Sequence, residues 1–264
     1  MQSVNKVIDF VWPQHLVSDQ SAQWIFECFN WALLNFDRQE FLQRTVLVQP
    51  SNQFFPGNVS SVHAKAENIF KHSLRYAGLN HWPFQLVAPT DLSQQPVVDL
   101  QLQNFSRNSA TALQDVAAVL PINISYNPQQ TLKAEDLSAS FAHLFAQHLL
   151  LQSKQLPPGD ETHLLEASEV LAVFMGFGVL LANSAYTFRG GCGSCFNPAA
   201  NRKASLSETE IVFATALFAE LKGIPKQQAC RYLKKHLRSS YSIALRQIRN
   251  LTKAQSLQQQ FSLK

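Results

Sequence analysis

Residues 161–185 read ETHLLEASEVLAVFMGFGVLLANSA and decide the fold class. From Val170 to Ala182 the run is apolar for 13 residues, broken only by Gly176 and Gly178. Thirteen residues fall short of the roughly 20 that cross a bilayer, so the segment reads as a helix buried in a protein core. The helix is expected over about 161–185, and two glycines inside it are expected to permit close helix packing. The first residues, MQSVNKVIDF, hold no signal-peptide core. The expectation is a soluble, cytoplasmic chain without a membrane span.

The residues before this helix set its context. Residues 132–151 form a second long helical pattern, and QLPPGD at 155–160 is a turn. Residues 18–43 are helical, with Trp24, Cys28, Trp31 and Phe36 at near-helical spacing. Ser60 or Ser61 can cap a helix that runs to about Ala77 and stops at Gly78. Between and after these lie short β-type runs: RTVLVQ at 44–49, 84–88 between Pro83 and Pro89, VVDLQL at 97–102, and VAAVLPINISY at 116–126. Pro121 lacks a ladder N–H and points to an edge or a bulge. After residue 188, Ser205 or Ser207 caps a helix to Lys222, Gly223-Ile224-Pro225 breaks it, and 226–252 give one or two basic amphipathic helices. The predicted class is α+β: a small mixed sheet in the strand-rich part, 44–126, then a helical part, 131–253, around the buried central helix. Residues 1–253 form one domain, and 254–264 fray.

Composition agrees with a folded core. The chain has 264 residues, 46% of them hydrophobic and 15% charged. Gln, at 26 residues, fills much of the polar share. Nineteen Phe and four Trp rule against disorder. The net charge of +4 conceals an asymmetry: residues 221–264 carry ten Lys or Arg and no acid. Arg231, Lys234, Lys235 and Arg238 follow i, i+3, i+4, i+7 spacing and are expected to line one helical face. Leu233, Leu237, Ala244, Leu245 and Ile248 would dock the other. Such a stripe either lies on the acidic body or binds a polyanion such as nucleic acid. The body's own negative charge and the scarcity of stacking aromatics favour the former.

The chemical signal lies in residues 121–151, PINISYNPQQTLKAEDLSASFAHLFAQHLLL, followed by the acids Glu166 and Glu169 of the second helix. A strand ends in Asn-Pro, a helix with His143 and His148 follows, and an acidic pair precedes AVFMGFGVLLANSA. This arrangement resembles uncharacterised bacterial proteins with a zincin-like helix pair, the His-Glu-x-x-His metallopeptidase type. The resemblance implies a peptide-binding edge strand, two histidine ligands and a general-base Glu on one helix, and an acidic ligand on the next. The chemistry departs from that pattern. His143 and His148 are five residues apart, about 140° around a helix, whereas one metal needs a spacing of four. The base position is Leu144 or Phe145, and the missing ligand falls at Gln147 or Leu144. The expected function is therefore a catalytically inactive zincin-like protein, a binding or regulatory module for an unknown protein or peptide ligand. A metal-dependent hydrolase with substituted ligands is the enzyme alternative. Zinc is the cofactor that the resemblance brings, and the degenerate motif is not expected to hold it.

His148, Glu166, Glu169 and His143 are the candidate binding residues, and His163 could join them. Alternatively, Glu166 and Glu169 are exposed acids favouring the helix dipole, and both histidines are ordinary core residues. Cys192 and Cys195 form one CxxC in RGGCGSCFNP. Structural zinc needs four ligands, so Cys28, Cys230 or a His would have to complete the site. The pair is otherwise a reversible disulfide or has no role.

Overall fold

The glycine-containing apolar run folds as an interrupted helix at the centre of the protein. The computed structural model describes residues 15–36, 38–89, 107, 121–153, 155–185 and 202–252. In chain order the helices are α1 (Asp19–Asn35), α2 (Arg38–Gln43), α3 (Val62–Ala77), α4 (Ala134–Ser153), α5 (Leu164–Ala172), α6 (Gly178–Ser184), α7 (Glu208–Leu221), α8 (Lys226–Ala229) and α9 (Lys235–Leu251). Strands β1 (Phe84–Leu86) and β2 (Ile122–Ile124) lie between α3 and α4. They pair in parallel, with Phe84 opposite Ile122 and Leu86 opposite Ile124. The fold is thus helix-dominated with a small parallel pair, where a small mixed sheet was expected. The expected strand at 97–102, the cysteine pair at 192 and 195, and the tail 254–264 lie outside the described residues.

The helix termini follow their capping chemistry. Ser61 accepts the Ala64 N–H at the start of α3, and Gly78 closes that helix in the left-handed region at φ 73°. Ser207 and Glu210 form a reciprocal capping box on α7. The helix expected over 18–43 is divided instead: buried Phe36 ends α1 before α2 begins.

The expected single helix over 161–185 is also divided. A 3-10 turn, Asp160–His163, precedes α5, and a π-helical turn, Val173–Phe177, separates α5 from α6. Gly176 adopts φ 101°, which frees its carbonyl from the helical ladder. Val48 donates its backbone N–H to that carbonyl at 2.9 Å. This contact explains why 44–49 is not the expected strand. The β-branched run is extended, with Leu47 and Val48 buried, but it satisfies one freed helix carbonyl rather than a sheet ladder.

Around this kink α4 packs on α3, α5 and α6, α7 packs on α6 and α9, and α1 lies against α5 and α7. Val173, Phe174 and Phe177 are fully buried, as expected. Phe174 stacks on Phe41 at 4.4 Å and meets Phe29 edge-on at 5.9 Å. Gly178 faces Thr215 of α7 closely enough that a Cβ would clash, so this glycine does permit close helix approach. The whole helical run Glu161–Ser184 has 24 residues, long and apolar enough to cross a membrane, contrary to the 13-residue reading. Its most apolar window is 83% buried inside the fold, which is the behaviour of a core helix.

Candidate functional site

The predicted residues His143 and Glu169 meet where α4 packs against α5. Glu169 has no solvent exposure, which overturns its reading as an exposed dipole acid. Arg202, itself buried, donates Nη1 to Glu169 Oε1 and Nε to Ser184 Oγ at 3.1 Å. Glu169 Oε2 accepts the backbone N–H groups of Ser205 at 3.1 Å and Leu206 at 2.7 Å. Both carboxylate oxygens are therefore engaged. His143 Nδ1 lies 3.7 Å from Glu169 Oε1, beyond hydrogen-bond reach. Burial pushes the His143 imidazole below its ordinary pKa; Glu169 opposes that shift and Arg202 adds to it.

Ser168 completes what resembles a serine–histidine–acid array, yet its geometry opposes nucleophilic chemistry. Its Oγ donates to Leu165 O at 2.7 Å and lies 2.7 Å from His143 Nε2. With its proton on Leu165 O, the hydroxyl is not set to pass that proton to the imidazole. Ser168 is also only 1% exposed. The cluster is a buried polar network that ties α4, α5 and the segment before α7 together.

The other predicted residues do not join it. His148 is on another side of α4, its ring 5.5 Å from that of Phe84, and burial lowers its pKa. Glu166 is half-buried. His163 turns away, its Nδ1 lying 2.8 Å from Thr162 Oγ1 and 3.0 Å from Gly159 O. Among the described residues no three His, Cys, Asp or Glu side chains gather as a metal would require. Cys28 and Cys230 are buried free thiols.

The basic stripe is broken. α9 begins at Lys235, so Arg231 and Lys234 precede the helix and the four cations do not share one helical face. Lys234 donates Nζ to Asn183 O, and Arg238 donates Nε to Leu233 O at 3.0 Å. Their hydrogen bonds go to backbone carbonyls, while Lys234 also stands close enough to Asp136 to act on it by charge. The expected apolar positions Leu233, Leu237, Ala244, Leu245 and Ile248 are all buried.

A cavity of about 660 Å³ opens between the loop after Pro50, α3, the start of α4 and the end of α6. Lys65, Lys133 and Lys234 line it together with Glu135 and Asp136. Asp136 is 6% exposed, and its carboxylate makes no hydrogen bond or ion pair among the described residues. Burial pushes its carboxyl up from the ordinary range, against the lowering influence of Lys133 and Lys234. The Lys65 ammonium likewise has no hydrogen-bond or ion-pair partner among the described residues.

Sequence reasoning missed Arg202, Asp136 and Lys65. Asp136 reads as a first-turn acid, and periodicity could have shown that its turn also carries buried Leu137. Arg202 follows a Gly- and Asn-rich segment and carries no local signal. No protein-family model matches the chain, and no curated protein or solved structure is significantly similar to it.

Proposed function

We propose that this chain is a catalytically inactive binding module built on a zincin-like helix pair, with the cavity beside α4 as its ligand site. The observation that carries this reading is the commitment of Glu169. Its two oxygens are engaged by Arg202, Ser205 and Leu206 at zero exposure. In a zincin-like pair the first helix supplies a histidine and the second an acid to a shared cation. Here His143 and Glu169 face each other and the guanidinium of Arg202 supplies the positive charge. A fixed protein cation neutralises the buried acid but offers no open coordination position for water. By contrast, the carboxylate of the buried Asp136 lines the cavity and makes no hydrogen bond or ion pair among the described residues; Lys133 and Lys234 act on it only through their charge.

Elemental analysis of the purified full chain, paired with a thermal-shift screen of small polar ligands, tests the proposal. The expected result is ligand-dependent stabilisation that is reduced in Asp136→Asn. Stoichiometric zinc that is lost in His143→Ala or Glu166→Ala would favour the metal-dependent hydrolase with substituted ligands instead.

A further inference from the structure

We infer that the cavity binds a small zwitterion, a ligand with an ammonium group for Asp136 and a carboxylate for Lys65 and Lys234; this rests on the cavity being the ligand site. A buried carboxylate that no hydrogen bond or ion pair engages carries a desolvation penalty that a matching cation removes. Asp136 is such a group, and it lines the cavity. Lys65 also lines it, on α3, and its ammonium makes no hydrogen bond or ion pair among the described residues. Lys234 uses a bond to Asn183 O. An ammonium carries three donors, so Lys234 retains capacity for an anion.

The charge pattern selects against simpler ligands. A bare anion meets Asp136 and Glu135. A bare amine meets Lys65 and Lys234. A metal ion finds Glu135 and Asp136 but no third His, Cys, Asp or Glu beside them among the described residues. A molecule bearing both charges meets both sets of walls. Phe55, Ile69 and Leu180 supply apolar surface for the body of the ligand. About 660 Å³ lies within the range of roughly 300–1,000 Å³ that small-molecule sites occupy. Two sources share this chemistry, a free α-amino acid and a dipeptide.

Isothermal titration of the full chain with four probe sets decides the matter: apolar α-amino acids, dipeptides, their decarboxylated amines, and their deaminated acids with inorganic phosphate. Zwitterions are expected to bind at least about tenfold more tightly than either single-charge set, the scale of a lost charged hydrogen bond. Preference between amino acids and dipeptides identifies the source. Asp136→Asn and Lys65→Gln are each expected to lose about tenfold, with the helical circular dichroism retained. Val59→Trp, at an exposed wall position, is expected to block the cavity. Single-charge probes that bind as tightly as zwitterions, or zwitterion binding unchanged in Asp136→Asn, overturn the ligand class. If such binding is still blocked by Val59→Trp, the cavity remains the ligand site and only the class fails. No binding by any probe overturns both.

Discussion

Arg202 and Glu169 form a buried ion pair that joins α5 to the segment leading into α7, with Ser184 of α6 as the second anchor of the guanidinium. Three parts of the fold that are distant in sequence meet at one carboxylate. Removing one partner leaves the other charge buried and uncompensated, whereas removing both leaves only neutral groups, Ser184 Oγ and the Ser205 and Leu206 N–H, without their partner.

Glu169→Gln and Arg202→Met should each destabilise the protein by about 3–5 kcal/mol, the usual penalty for breaking a buried pair. The double variant Glu169→Gln/Arg202→Met should be less destabilised than the sum of the singles. Urea denaturation of the four proteins gives the coupling directly. Additive losses would show that the two charges do not stabilise each other.

Gly176→Ala should be far more damaging than Gly223→Ala. Both glycines have positive φ, at 101° and 63°. A Cβ on Gly176 runs into the Val46 carbonyl oxygen, whereas a Cβ on Gly223 meets nothing within 4 Å. Strain alone costs about 1–2 kcal/mol at Gly223, and displacement of the 45–48 segment adds to it at Gly176. Thermal melts of the two variants check the order.

Asp136→Asn should raise the melting temperature at pH 7 while weakening ligand binding about tenfold. The folded-state pKa of Asp136 lies above its ordinary 3.8, so the unfolded chain ionises first as pH rises. The native state therefore loses stability across that window and stays penalised at neutral pH. The gain in the variant should fade as pH falls toward 3.8. A shift of about 2–4 °C corresponds to about 1 kcal/mol in a chain of this size. A lower melting temperature at pH 7 would mean that Asp136 is a structural acid.

His143 and His148 impose the opposite dependence. Burial lowers both from the ordinary 6.5, so the unfolded chain takes up protons first as pH falls. Stability should drop as pH falls below about 6.5. His148→Phe, which keeps the ring packing on Phe84, should flatten part of that drop. Melting curves from pH 7.5 to 5 compare the two proteins.

Cys28 and Cys230 should resist alkylation in the native state. Burial raises both thiol pKa values, with Glu27 adding to the effect at Cys28. Peptide mapping after iodoacetamide treatment should find both unmodified until denaturant is added.

Much of the architecture was legible in the residues. The apolar run from Val170 identified the central helix, Ser61 and Gly78 bounded α3, and Ser207 with Glu210 started α7, because caps act within one turn. The apolar face of α9 was readable for the same reason. Local patterns failed where a distant partner decided the outcome. RTVLVQ has strand chemistry, but its hydrogen bond goes to Gly176, a residue more than a hundred positions away. Arg231 and Lys234 fit a helical stripe, but the helix starts one residue beyond Lys234.

The site divides in the same way. The residues alone determined that the metallopeptidase spacing is broken, since five positions between His143 and His148 cannot place both on one helical face. They offered Glu169 and His143 as candidates, but grouped Glu169 and Glu166 with His148, which lies on another side of α4. Only the tertiary structure decided that Arg202 neutralises Glu169 and that Asp136 lacks a partner. Whether a charge is paired depends on burial and on which remote side chain arrives beside it, and spacing along the chain encodes neither.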